Sequence, residues 1–228
     1  MSAHVGVGPG TRLVRGRAAA LAGIVAPLLF TVVVLAQQAA RRDEYSPTAE
    51  TISALEAGPN GWIQQFNFVV FGLLLLIFAV AVHRGPAADR TGALGPVLIG
   101  LAGVGALLAA VFPLREDAVG VTYDPGYHFV SGFTFFSCIA LGLVVTSRRL
   151  ARDGRFPALS RYVLGAGLVA AAGVPLMVVL VLPDDAPLHD LAGLVQRGIL
   201  WLVVFPALVA LGLCLRAGGA PTGQAGAR

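Results

Sequence analysis

The chain has 228 residues, 57% of them hydrophobic and only 12% charged, with a net charge of +4. Its mean hydropathy is +0.81, whereas a soluble domain carries about a quarter charged residues. These values exclude an ordinary soluble enzyme and place the chain in a bilayer.

Six segments, at roughly residues 18–38, 63–83, 93–112, 127–147, 159–182 and 193–215, are long and apolar enough to cross about 30 Å of hydrocarbon at about 1.5 Å per residue. The expectation is an all-α integral membrane bundle of six transmembrane helices over 18–216, with disordered tails at 1–17 and 217–228. All 16 basic residues are Arg. With the N-terminus inside, Arg12, Arg15, Arg17, Arg84, Arg90, Arg148, Arg149, Arg152, Arg155, Arg161, Arg216 and Arg228 are cytoplasmic. Only Arg41, Arg42, Arg115 and Arg197 are then outside. This bias puts both termini in the cytoplasm and suits a bacterial plasma membrane. Because these residues hug helix ends instead of forming one basic patch, no nucleic-acid partner is expected.

The first span, with Pro27 inside it, has an apolar core too long for a secretory signal and reads as uncleaved. The loop after it, 41–62, is the longest connection. There Thr48, Glu50 and the Ile52/Leu55 spacing predict a short interfacial helix, and GPNG predicts a turn before Trp62 at headgroup level. The second span opens with Gln64 and Asn67 on one face, where amides need protein or a wet cavity. Gly95, Gly100, Gly103 and Gly105 of the third span predict close helix approach.

The stretch from Phe112 to Gly132 breaks the apolar pattern with Glu116, Asp117, Asp124 and His128. In the fourth span His128, Ser131, Phe135 and Cys138 share a face, giving a weakly polar track toward midplane. Residues of this kind also bond their own backbone. The 147–161 loop is the densest basic segment and reads as a topological anchor. The 182–190 loop, LPDDAPLHD, echoes the 112–128 stretch in its Pro, acidic pair and His189. At the start of the sixth span His189 and Gln196 stack on one face, and Arg197, inside the boundary, is expected to pair with an outer carboxylate. Cys138 and Cys214 lie at different depths and are expected to be free thiols.

Spans two, four and six all begin on the outer side. If they cluster, Glu50, Asn67, His128, Ser131, His189, Asp190, Gln196 and Arg197 line an outward-facing polar pocket that binds a lipid, a small molecule or a partner. A membrane-embedded enzyme would use a His and a carboxylate there as acid and base on a lipid-like substrate. A metal hydrolase would need His128 and His189 with Glu50, Asp124 or Asp190, but the chain has no H-E-x-x-H pair, so neither metal nor cofactor is expected. A small transporter would need an ionisable relay at midplane, and every span lacks one.

The ISALEAGPNGW run entering span two, the join from FP through acidic residues to GYH entering span four, and GLVQR opening span six resemble the bacterial and archaeal membrane family called domain of unknown function 998. The resemblance covers roughly residues 17–216 and lies outside the stretch between Arg115 and Tyr123. It implies a multi-pass bundle of this size with no established activity.

Overall fold

The computed structural model describes residues 9–85, 92–153 and 155–217, with side chains from residue 16 onward. Helix α1 runs Pro9–Ala40, α2 Trp62–His83, α3 Leu94–Val111, α4 His128–Asp153 and α5 Pro157–Leu176. The last span is composite: α6 (Ala192–Arg197), a π-helical stretch Gly198–Val204 and α7 (Phe205–Ala217). Six helical spans are thus long and apolar enough to cross a membrane, as the sequence predicts. Residues 9–17, assigned from sequence to a tail, continue α1. The rest of the two tails, 1–8 and 218–228, lies outside the described residues.

Each span packs on its neighbours in sequence, and α1 closes the ring by packing on α7. Four phenylalanines fill the centre. Phe30 of α1 meets Phe71 of α2 at 4.8 Å and Phe205 of α7 at 5.8 Å, and Phe71 meets Phe135 of α4 at 5.8 Å between ring centroids. The small residues of α3 act as expected at Gly103, where helices cross with backbones nearly touching: a Cβ on facing Gly72 would lie 2.6 Å from the Gly103 carbonyl oxygen. Gly100 has only ordinary clearance, so it is not part of that contact. Cys138 and Cys214 are free.

The connections 41–61, 112–127 and 182–191 share one end, here called the long-loop end; the opposite, Arg-rich end carries Arg148, Arg149 and Arg152. Arg149 is buried there and donates from Nη2 to the His83 carbonyl at 2.6 Å, so it ties α4 to the end of α2 as well as marking a helix end. α4 and α5 are joined near this end, where Ser160 Oγ donates to the Ser147 carbonyl and Gly167 abuts Val144.

Two local expectations are corrected. The helix expected to start at Thr48 is a short 3₁₀ helix, Ile52–Glu56, because the backbone of 48–50 is engaged elsewhere. The 112–127 stretch contains a two-residue antiparallel ladder, β1 (Arg115–Glu116) with β2 (Thr122–Tyr123), closed by Asp117 Oδ1 accepting from the Val119 and Val121 N–H groups. Two π-helical stretches, Met177–Val181 after α5 and Gly198–Val204 before α7, sit beside prolines. Pro175 and Pro206 have no N–H, so the i−4 carbonyl in each case lacks its usual donor and the helix re-registers.

Candidate functional site

The long-loop end is built on the docking of the 41–61 loop onto α6. The first N–H groups of a helix have no partner within it, and here the Gly193 and Leu194 N–H groups donate to the carbonyls of Ala49 (3.2 Å) and Thr48 (2.9 Å). A Cβ on Gly193 would collide with the carbonyl oxygens of Glu50 and Pro47, so only glycine permits this approach. Gln196 Oε1 accepts the Ile52 N–H at 2.6 Å.

Arg197, 5% exposed, completes the clamp. Its Nη1 donates to the carbonyls of Glu50 (2.9 Å) and Gly193 (3.0 Å), and its Nη2 donates to the Tyr45 hydroxyl. The Gln38 side-chain oxygen, oriented inward, accepts from Nε at 3.1 Å and Nη2 at 2.7 Å. The guanidinium lies 5.6 Å from the Tyr45 ring centre and 5.9 Å from that of Trp201. Tyr45 passes its own proton to the Thr51 carbonyl at 2.8 Å, and burial pushes its phenol above the usual range. No carboxylate lies within ion-pair distance of Arg197 among the described residues. The expected carboxylate partner is therefore replaced by carbonyls and a phenol, which spend the fork's donors without burying a second charge.

The same loop carries Glu56 into the bundle. Its Oε2 lies 3.2 Å from His128 Nδ1 and accepts the Leu114 N–H at 3.4 Å, while Oε1 is buried without a partner. Burial pushes this carboxyl up to about 8, the Leu114 N–H opposing weakly. The contact with His128 is accordingly a hydrogen bond to a protonated carboxyl near neutral pH, not an ion pair. His128 Nδ1 also lies 2.9 Å from the Phe112 carbonyl. A carbonyl only accepts, so Nδ1 carries a proton, and the ring meets a second carbonyl, that of Ala109. The start of α4 is fixed by Asp124, whose Oδ1 accepts the Gly126 and His128 N–H groups and whose Oδ2 accepts that of Phe129. Its partial burial works against ionisation, but these three donors outweigh it and hold the carboxyl below the usual range.

His128 and Gln196 meet at a pair of adjoining cavities. The larger, about 230 Å³, lies between α4 and the far end of α5; Phe129, Phe133 and Phe136 form one wall and Gly173, Val174, Met177 and Val178 the other. Thr51, Ser53, Asp124, His128 and Gln196 supply its polar rim. The smaller, about 40 Å³, reaches the central phenylalanines and shares Ser53, His128, Gly132, Phe136 and Gln196 with the larger. Phe129 and Phe133 are each 47% exposed, so the larger cavity's wall is also the outer surface of the bundle. Its volume exceeds the roughly 150 Å³ of an apolar cavity that takes up benzene.

Of the residues singled out from sequence, the cavities bring together His128 and Gln196. Arg197 and Glu50 meet each other, but through the Glu50 carbonyl; the Glu50 carboxylate accepts the Ser46 N–H at 2.7 Å. Asn67 faces α1, donating to the Phe30 carbonyl (3.2 Å) and to Gln64 Oε1 (3.3 Å), which also accepts from Gln37 at 2.8 Å. These amides join helices and line neither cavity. Ser131 donates to the Tyr127 carbonyl of its own helix at 2.8 Å. His189 is half-buried in the 3₁₀ turn His189–Leu191, Asp190 is exposed, and neither lines a cavity. Among the described residues no three His, Cys, Asp or Glu side chains gather as a metal site would require.

Glu56 is a functional candidate that its residue type alone does not mark, because it is one of ten acids in the loops of this end. A signal was present: Glu56 follows Ile52 by four residues, and a turn of helix puts it on the buried face of that apolar residue. Ser53, Gly132 and the α4 phenylalanines were passed over because bulk and absence of bulk carry no chemical mark in a span.

A family model described as "Protein of unknown function (DUF998)" matches residues 24–221. The chain belongs to that family. No curated protein and no solved structure matches it. The three runs that carry the resemblance are spatial partners: ISALE docks on GLVQR through Ile52 and Gln196, and places Glu56 against the His of GYH.

Proposed function

We propose that this DUF998 protein binds an amphiphile, with the apolar chain between α4 and α5 and the polar end against His128 and Gln196. The observation that carries the reading is the 230 Å³ cavity, apolar on both helical walls and polar only at its rim. A site of this kind suits a molecule that is itself apolar at one end, and the exposed α4 wall gives such a molecule a route from the surrounding lipid. In a bacterial plasma membrane with both termini cytoplasmic, as the arginine distribution argues, the rim opens at the outer leaflet.

Gly132 provides the test. It lines both cavities, and a Cβ added there meets nothing within 4 Å. Gly132→Leu therefore fills the space without displacing backbone. Protein purified in mild detergent should release a lipid-like molecule on organic extraction, detected by mass spectrometry, and Gly132→Leu should lose most of it while keeping its melting temperature. Equal yields from the two proteins would overturn the reading.

One observation favours a second reading, an acid–base enzyme acting on the bound amphiphile. His128 lines the cavity with its Nδ1 between a carbonyl and the Glu56 carboxyl, so two titratable side chains that can exchange a proton lie beside the site. Turnover of extracted lipid that His128→Gln abolishes would select this reading over simple binding.

A further inference from the structure

The polar groups at the cavity mouth fix the character of the ligand's head. Gln196 spends its oxygen on the Ile52 N–H, which assigns the outstanding amide nitrogen as a donor. His128 spends Nδ1–H on the Phe112 carbonyl and its ring also meets the Ala109 carbonyl, so the imidazole is engaged with backbone. Both side chains line both cavities together with the Ser53 hydroxyl, and Thr51 adds a second hydroxyl to the larger, so the mouth offers an amide donor and two hydroxyls that donate or accept.

Among the described residues no Arg lines either cavity, and the neighbouring Arg197 is turned into the loop clamp with its donors spent on carbonyls, Gln38 and Tyr45. The one ionised group at the rim is Asp124, and its oxygens already accept three backbone N–H groups at the start of α4. An anionic head would meet that carboxylate with no cation to offset it. A cationic head would be drawn to Asp124 but has no lone pair with which to accept from Gln196.

Resting on the amphiphile-binding reading, we infer that the ligand is a single-chain lipid with an uncharged hydroxyl or amide head, which accepts from Gln196 and exchanges hydrogen bonds with the Ser53 and Thr51 hydroxyls. Phosphate-bearing lipids and ionised fatty acids are disfavoured. The volume, below the roughly 300 Å³ at which drug-sized pockets begin, limits the site to one chain.

The test is equilibrium binding of radiolabelled 1-monooleoylglycerol to the full chain in nanodiscs, with oleamide, oleoyl lysophosphatidate and oleate as competitors. Oleamide should compete with the label, and each charged lipid should be at least about tenfold weaker, the factor that one lost hydrogen bond of about 1.4 kcal/mol represents. Gln196→Met removes the amide donor and should weaken monooleoylglycerol about tenfold, with a lower melting temperature because the Ile52 N–H loses its acceptor. Should it unfold instead, the competitor ranking on the wild-type protein decides alone. Charged lipids that compete equally or better, in a manner blocked by Gly132→Leu, would overturn the uncharged-head inference and leave the amphiphile reading standing. Absence of any binding sensitive to Gly132→Leu would overturn both.

Discussion

Glu56 Oε2 lies 3.2 Å from His128 Nδ1, and the two side chains keep no more than 8% of their surface in contact with solvent. The loop between α1 and α2 thereby delivers a titratable carboxyl to the back of the residue that lines the cavity. Its protonation has a measurable consequence for stability.

The folded carboxyl titrates at about 8 against 4.5 in an unconstrained chain, so between those values the folded protein holds a proton that the unfolded protein has lost. Stability from this group is therefore complete below about pH 4.5, falls as pH rises, and levels off above about pH 8, with a slope of at most about 1.4 kcal/mol per pH unit. Glu56→Gln cannot titrate and should lack this component. Melting temperatures in detergent at several pH values across that window should fall more steeply for wild type than for Glu56→Gln; parallel curves would show that the carboxyl is ionised throughout.

Removal of the Arg197 clamp should free the loop it holds. Arg197→Leu leaves the Glu50 carbonyl without a charged donor, and a cost of roughly 2–4 kcal/mol is expected, since hydrogen bonds to buried charged groups are the stronger ones. Arg42 is a control, being paired only with Asp43 at 3.7 Å with its side chain 81% exposed. Arg42→Leu should change stability by no more than about 0.5 kcal/mol. Limited proteolysis should cut the 41–61 loop faster in Arg197→Leu than in wild type or Arg42→Leu.

Gly193 gives the same interface a steric test. Alanine there drives a Cβ into two backbone carbonyls of the docked loop, which cannot yield as a flexible side chain would, so Gly193→Ala should destabilise by roughly 1–3 kcal/mol. Gly165 in α5 has nothing within 4 Å of an added Cβ. Gly165→Ala should be neutral or stabilising by up to about 1 kcal/mol through helix propensity. The two melting temperatures should move in opposite directions.

The spans were legible because a hydrocarbon-length apolar run has few other uses, and the close approaches at Gly103 and Gly105 because small residues in spans mark contacts. The site was legible only in part. His128 and Gln196 stood out as polar residues at the mouths of spans, and the structure brings them to one cavity. Arg197 stood out for the same reason, yet its partners are carbonyls, which every residue possesses and no sequence displays. Gln64 and Asn67 illustrate a further limit: the face they share was correctly read, but which helix it meets depends on the order of spans around the ring. The echo between the 112–128 and 182–190 loops does not extend to roles, since Asp124 caps α4 while Asp184 and Asp185 are exposed.

Sidedness decides whether the cavity mouth faces the cell exterior. Val119, at the tip of the 115–123 hairpin, is 82% exposed, and Arg148 is exposed near the far end of α4. The length of α4, 26 residues, puts these positions about 30 Å or more apart along the span, enough to lie on opposite sides of the hydrocarbon. With both native cysteines replaced by Ser, Val119→Cys should react with a membrane-impermeant maleimide in intact cells, and Arg148→Cys only after permeabilisation. The reverse pattern would invert the topology and turn the cavity mouth toward the cytoplasm. Labelling of both in intact cells would mean that α4 does not span.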